Sequence, residues 1–224
     1  MSALRRLAVA LMLSVPLLVF AQAMTVPMPG RWSSQGAYLW PGNTAIADAP
    51  ADGRRLSLRA PRGTLSLRIG DGTWQAFDRD HDRDRALGDA QPLDDLAEVL
   101  WAPGGEAFAI TASDGGQVGT WRLAVLRRAG PRMIQTSPLT QVLSDFRRVY
   151  PHCPNEHPNV GAVAWSQDAA TLDVVVEMPC HSPCVDMCRI RGYTIDARSG
   201  EIRASHAERV VRRVWRDRLG DRLR

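Results

Sequence analysis

Residues 153–188 read CPNEHPNVGAVAWSQDAATLDVVVEMPCHSPCVDMC, and this stretch decides the fold. Gly161–Trp165 and Thr171–Met178 are apolar runs of strand length, and Ser166-Gln167-Asp168 between them has turn chemistry. Past the last cysteine, Cys188–Asp196 carries Ile190, Tyr193 and Ile195 as a returning strand, closed by the turn Arg198-Ser199-Gly200. An antiparallel β-hairpin therefore runs through the stretch. All four cysteines of the chain sit in its loop or in the segment leading into it.

Cys180 and Cys188 bracket the loop from His181 to Met187 and lie at opposed strand ends. Opposed strand ends fit the roughly 4.4–6.8 Å Cα separation that a disulfide needs. Cys184, in mid-loop, can reach Cys153 in the segment before the hairpin. Four cysteines permit three pairings, so Cys180–Cys188 with Cys153–Cys184 is the expectation and the other two stay open. A copper or zinc site and redox exchange of the thiols are the competing readings. Met178, Cys180, His181, Cys184, Met187 and Cys188 are soft ligands of the kind that select Cu(I), with His152 and His157 flanking Cys153. The C-x3-C-x3-C spacing is not that of a zinc ribbon or finger, and the haem signature C-x-x-C-H is absent.

The N terminus supplies the compartment. Arg5 and Arg6 precede the apolar run Leu7–Phe20, and Ala21-Gln22-Ala23 is a small-x-small cleavage site. Residues 1–23 read as a secretory signal peptide, which leaves 24–224 as a single β-rich domain. Pro16 interrupts the run, which is also shorter than the roughly 20 apolar residues a spanning helix requires. Every basic residue is Arg, a bias expected of a GC-rich bacterial genome. An exported bacterial protein lives in the periplasm or beyond, where paired cysteines oxidise.

The chain has 224 residues and a formal net charge of +4, but the charge is uneven. Residues 203–224 hold eight Arg against Glu208, Asp217 and Asp221, so the remainder of the mature chain is slightly acidic. Export argues against a nucleic-acid partner in spite of this basic tail.

Strand–turn–strand units recur upstream. Arg54–Leu58 and Thr64–Ile69 alternate with period two around Pro61-Arg62-Gly63. Glu98–Trp101 leads through Pro103-Gly104-Gly105 to Ala107–Thr111, then through Ser113–Gly116 to Gly119–Leu126. The leading tryptophans Trp40, Trp101 and Trp165 are 61 and 64 residues apart. The segments VLWAPGGEAFAIT and VAWSQDAATLDVVV resemble the strand–turn–strand pattern of TolB-type, WD40-like β-propeller blades over about 90 residues. Gln167 and Ala169 depart from that pattern. The resemblance implies protein binding through loops or a sheet face. Three units cannot close a ring, so the fold class is mainly β: antiparallel meander repeats, open propeller-like or sandwich-like, with two packed amphipathic helices. Trp32, Trp40 and Trp74 could serve as exposed anchors, although core packing is the expected place of most of them.

The two helices have their own signals. Ser137–Tyr150 places Leu139, Val142, Leu143 and Phe146 on one face, with Ser137 as N-cap, Pro138 at the first helical position and Pro151 after the end. The second runs from Ser205 to about Leu219, with Ser205 and Glu208 as a capping box, within a basic C-terminal segment 203–224. Its arginine face is expected to be solvated; the alternative is that it meets an acidic partner or anionic lipid, with Trp215 at the boundary.

Other motifs are thin. Asp78, Asp80, Asp82 and Asp84 have the alternate spacing of a calcium loop, with Asp89 at the twelfth place. Arg83, however, stands where such a loop needs Gly. There is no G-x-S-x-G, H-E-x-x-H or G-K-[ST] motif, and no cofactor is called for. The expectation is a disulfide-stabilised, non-catalytic binding module of the cell envelope whose partner is another protein. The alternative is a periplasmic copper-handling protein built on the Met178–Cys188 cluster.

Overall fold

Alternating apolar and polar side chains favour strands whose two faces differ, and two larger antiparallel sheets follow from that pattern. The structure is a computed structural model; it describes residues 30–39, 47–48, 56–59, 66–69, 75–76, 96–113, 120–130, 132–181 and 183–223. The strands of the first half are β1 (Ala37–Leu39), β2 (Ala47–Asp48), β3 (Leu56–Arg59), β4 (Ser66–Ile69), β5 (Gln75–Ala76), β6 (Leu96–Trp101) and β7 (Ala107–Ser113). There follow β8 (Trp121–Ala129), β9 (Arg132–Thr136), helix α1 (Leu139–Val149), β10 (Asn159–Trp165), β11 (Thr171–Glu177), β12 (Ile190–Asp196), β13 (Ile202–His206) and helix α2 (Glu208–Val214).

A five-stranded sheet has the order β1-β6-β7-β8-β9 and a four-stranded sheet the order β10-β11-β12-β13. The short strands β2-β3-β4-β5 pair in a third sheet, with Leu56 in backbone register with Ile69 and Leu58 with Leu67. The two four-stranded sheets are antiparallel meanders; the five-stranded sheet is one over β6–β9, with β1, distant in sequence, added antiparallel to β6, and no closed barrel or propeller ring is formed among the described residues. The signal segment 1–23, Trp40, Trp74, and Asp78, Asp80, Asp82, Asp84 and Asp89 lie outside the described residues.

Strand β11 shows how one sheet acquires two cores. Leu172, Val174 and Val176 point to one face and join Leu139, Val142 and Phe146 of α1. Leu100, Ala109, Leu123 and Val125 of the five-stranded sheet complete that cluster. Val175 points to the other face, where it meets Val211, Trp215, Leu219 and Leu223 of the C-terminal segment together with Trp32. Burying each large apolar side chain contributes roughly 1.5–3 kcal/mol. Strand β10 fastens the two larger sheets. Ala162 N–H donates to Thr111 Oγ1 (3.0 Å), Trp165 Nε1 to Leu100 O (3.0 Å), and Asn159 Oδ1 accepts from Trp121 N–H (3.0 Å).

Several local expectations need correction. The first helix is one to two residues shorter at each end, and Pro138 occupies the cap position. Ser137 still accepts a hydrogen bond from Leu139 N–H (3.4 Å). The second helix is much shorter than 205–219, and its capping box does not form. Ser205 lies in β13, paired with Tyr193, and its hydroxyl accepts from Arg191 Nη2 (2.8 Å). Pairing with β12 satisfies this backbone better than a free helix terminus would. Trp215 is buried rather than at a boundary; its ring sits where a Cβ on Gly192 would be (2.6 Å), edge-on to His206. Trp32 is 0% exposed and is a core residue, not a surface anchor.

The first and last described segments are stitched together. Ser34 N–H donates to Arg218 O (2.9 Å), Gly220 N–H to Trp32 O (2.8 Å) and Arg222 N–H to Arg31 O (3.1 Å). Trp32 lies flat on Gly161, where a Cβ would come within 2.0 Å of the indole. Arg222 stacks over both Trp32 (4.8 Å) and Trp121 (5.5 Å), and its guanidinium reaches Glu177 (2.8 Å). Asp173 and Glu177, on the same face of β11, hold Arg218 and Arg222 respectively. The arginine tail is thus partly a structural clamp.

Candidate functional site

The connection between β11 and β12 is the candidate site. The strand ends are closed by Met178 N–H to Arg189 O (2.8 Å) and Cys188 N–H to Met178 O (3.0 Å). Beyond that point the chain bulges into a loop turned by Met187 N–H to Cys184 O and Arg189 N–H to Asp186 O (3.2 Å each), and covalent ties secure it. Two disulfides supply the ties. Cys180 is bonded to Cys188 across the loop base, and Cys184 at mid-loop is bonded to Cys153, with Cα separations of 4.3 and 5.6 Å. No described cysteine is free.

The loop's side chains then sort by chemistry. Asp186 turns inward, where its carboxylate accepts from His152 N–H (3.2 Å) and lies 3.1 Å from His152 Nδ1. Its neighbours on either side turn outward. Val185 is 76% exposed and Met187 51%, two of the few large apolar side chains that the described residues leave in solvent. His181 and Pro183 are exposed beside them. Two bonds to the scaffold and one inward carboxylate hold an apolar pair outward with little freedom left to lose on contact.

With every sulfur bonded in a pair, the soft-ligand cluster presents no thiolate here. Its two thioethers also part company, since Met178 is wholly buried and Met187 is exposed. Among the described residues no group of three or more His, Cys, Asp or Glu converges as a metal site would require. His157 lies elsewhere, at a cleft of about 20 Å³ with Trp121, Leu139 and Arg147. That volume holds roughly one water molecule and no substrate.

Two polar clusters escaped the sequence reading. Thr194 Oγ1 donates to Asp173 Oδ1 (2.7 Å) and lies 3.0 Å from His206 Nε2. A Ser- or Thr-based nucleophile needs the carboxylate behind the histidine, whereas here it sits on the hydroxyl and is also held by Arg218. The arrangement is a structural bridge between β11, β12 and β13. Asp145 of α1 accepts from Tyr193 Oη (3.1 Å), Arg191 Nε (3.1 Å) and Arg148. Burial opposes ionisation of Asp145, but these donors outweigh it and hold its carboxyl below the usual range.

Glu98 is the third omission, and its position gave no sequence signal because it sits in an ordinary strand. It is 2% exposed and accepts from the backbone N–H groups of Trp32 (2.7 Å) and Ser33 (2.9 Å). Burial pushes its carboxyl up to about 7, against the lowering effect of those two donors and of Arg31. Burial also raises the Tyr38 phenol, and the charges of Glu98 and Asp221 add to that. A folded-state value above the unfolded one means that the native protein binds the Glu98 proton more tightly. Stability from this group is therefore full below about 4.5 and is lost as pH rises to about 7. Asp145 and Asp196 have lowered values and act in the opposite sense, but only below the ordinary carboxylate range. Between pH 5 and 8, urea midpoints of the native protein should fall as pH rises. The Glu98 contribution amounts to as much as about 3 kcal/mol. Glu98→Gln should flatten that slope; an unchanged slope in the variant rules out Glu98 as its source.

The basic tail divides into paired and unpaired arginines. Arg203, Arg212, Arg218 and Arg222 each reach a carboxylate. Arg209, Arg213 and Arg216 are exposed at i, i+4 and i+7 along α2 and the turn after it, beside the exposed Val214. No helix among the described residues is long and apolar enough to cross a membrane. Comparison with known proteins found no matching family model, no matching curated protein and no matching solved structure.

Proposed function

We propose that this is an exported, non-catalytic binding module of the bacterial cell envelope, and that the β11–β12 loop is its contact surface for another protein. Residues 1–23 act as the signal peptide, and the two disulfides are compatible with the oxidising compartment to which it leads. The propeller-like resemblance supports a meander scaffold that displays loops. The observation that carries the reading is the outward pair Val185 and Met187 on a loop bonded twice to that scaffold. A preorganised apolar pair loses little conformational entropy on docking, so a partner with a small apolar cleft gains most of the burial energy.

A photo-crosslinking amino acid placed at Val185 in cells that export the protein tests this. Illumination should give one discrete heavier species, which disappears when Met187→Asp is added. The same crosslinker at Arg213, on the α2 face, should not give that species. Crosslinks that are equally diffuse from both positions, or that survive Met187→Asp, would exclude the loop as the contact surface.

A further inference from the structure

The two disulfides of the loop are held in opposite environments. Cys153 is 3% exposed and belongs to the core cluster with Phe146, Met178 and Tyr193, and its half-buried partner Cys184 packs against that cluster. Cys180 is exposed, and Cys188 is half-buried. Cys188 also has φ = 61°, the left-handed region that a residue with a Cβ adopts at a cost. Among the described residues only Ala169 shares that conformation without being glycine, and it sits in the tight Ser166–Ala170 turn. Bonding to Cys180 and the Cys188 N–H bond to Met178 O hold Cys188 there.

We infer that Cys180–Cys188 is a thiol-exchange site, opened and closed by a dithiol reductant, while Cys153–Cys184 is the permanent tie. A thiolate of the reductant attacks Sγ of Cys180, the exposed partner, and the sulfur–sulfur bond breaks with Cys188 leaving as a thiolate. The second thiol of the reductant then attacks the mixed disulfide and releases Cys180. The reductant ends as a disulfide, two electrons pass to the protein, and the thiols that form take up the two protons. Opening frees Cys188 to leave the left-handed region, which favours the reduced form. An incoming thiol cannot reach Cys153 in the same way, because the core covers it, and Cys184, half-buried against that core, is less open to attack than the exposed Cys180.

The consequence rests on the contact reading given above. With Cys184 still tied, Val185 stays tethered, while the arm that carries Met187 and Cys188 gains freedom. The apolar pair then no longer holds one spacing, and partner contact weakens in the reduced state.

Differential alkylation of the intact oxidised protein tests the inference. The protein is equilibrated in dithiothreitol buffers of graded reduced-to-oxidised ratio, quenched in acid, alkylated, fully reduced and alkylated with a second, heavier reagent. Peptide masses should show Cys180 and Cys188 opening at a ratio at least about tenfold lower than Cys153 and Cys184. Simultaneous opening of both pairs, or earlier opening of Cys153–Cys184, overturns the assignment. This measurement needs no partner and so stands apart from the contact reading. If the alkylation order holds but the Val185 crosslink never forms, the exchange site stands and the contact surface falls. If the crosslink forms equally in both redox states, the coupling between them falls.

Discussion

Trp32→Ala should lower the unfolding free energy by about 4 kcal/mol, within the range found when large aromatic side chains are truncated in well-packed cores. Three losses add. The indole fills the space over Gly161, so its removal opens a cavity over β10. Its edge-to-face contact with Trp121, at 6.2 Å between ring centroids, disappears. Arg222 loses one of the two rings over which its guanidinium stacks, which loosens its hold on the buried Glu177. One gain offsets part of this: Trp32 Nε1 is buried without an acceptor among the described residues, and alanine removes that unpaired donor. Trp32→Phe keeps a ring over Gly161 while deleting the same N–H, so it should cost less than half as much. Urea unfolding of the mature protein followed by circular dichroism reads both values. A loss under about 1 kcal/mol for Trp32→Ala would mean that the segment around Trp32 is not part of the cooperative core.

Replacing Cys153 and Cys184 together by alanine should cost roughly 3.7 kcal/mol, against roughly 2.6 kcal/mol for the Cys180–Cys188 pair. The difference comes from chain entropy in the unfolded state, since the bonded residues are 31 apart in one case and 8 in the other. The longer bridge spans β10 and β11 and so restricts the strands that carry both cores. Typical net stabilities are roughly 5–15 kcal/mol, so loss of this bond alone should bring a marked fall in melting temperature. Reductant on the wild-type protein should lower the melting temperature in two steps, a smaller one where Cys180–Cys188 opens and a larger one where Cys153–Cys184 opens. Identical melting of oxidised and fully reduced protein would show that the bonds do not bear on folding at all.

What could be read along the chain was whatever local periodicity encodes. The hairpin β10–β11, the returning β12, the pair β7–β8 and helix α1 all have dense apolar repeats, and turns such as Pro103-Gly104-Gly105 and Arg198-Ser199-Gly200 mark their ends. Strands β9 and β13 were not legible. The sequence of β13, IRASH, leaves its middle residues exposed, as edge strands do, and without an apolar alternation it read as the run-up to a helix. Gly161 and Gly192 held an unused clue, because glycine inside an apolar strand marks the close approach of something bulky. What approaches them, Trp32 and Trp215, could not be guessed from spacing.

By itself the sequence determined a set of four cysteines clustered about one hairpin, a mainly β chain and one well-formed amphipathic helix, because each of these is written in neighbouring residues. Only the tertiary structure decided which apolar residues stay outside, with Val185 and Met187 in solvent and Trp32 in the core. It alone placed Glu98 under two backbone donors, and Arg218 and Arg222 on carboxylates 45 residues away. The reason is physical: periodicity says that a side chain has an inside face, but desolvation and pairing depend on what the rest of the chain brings against it.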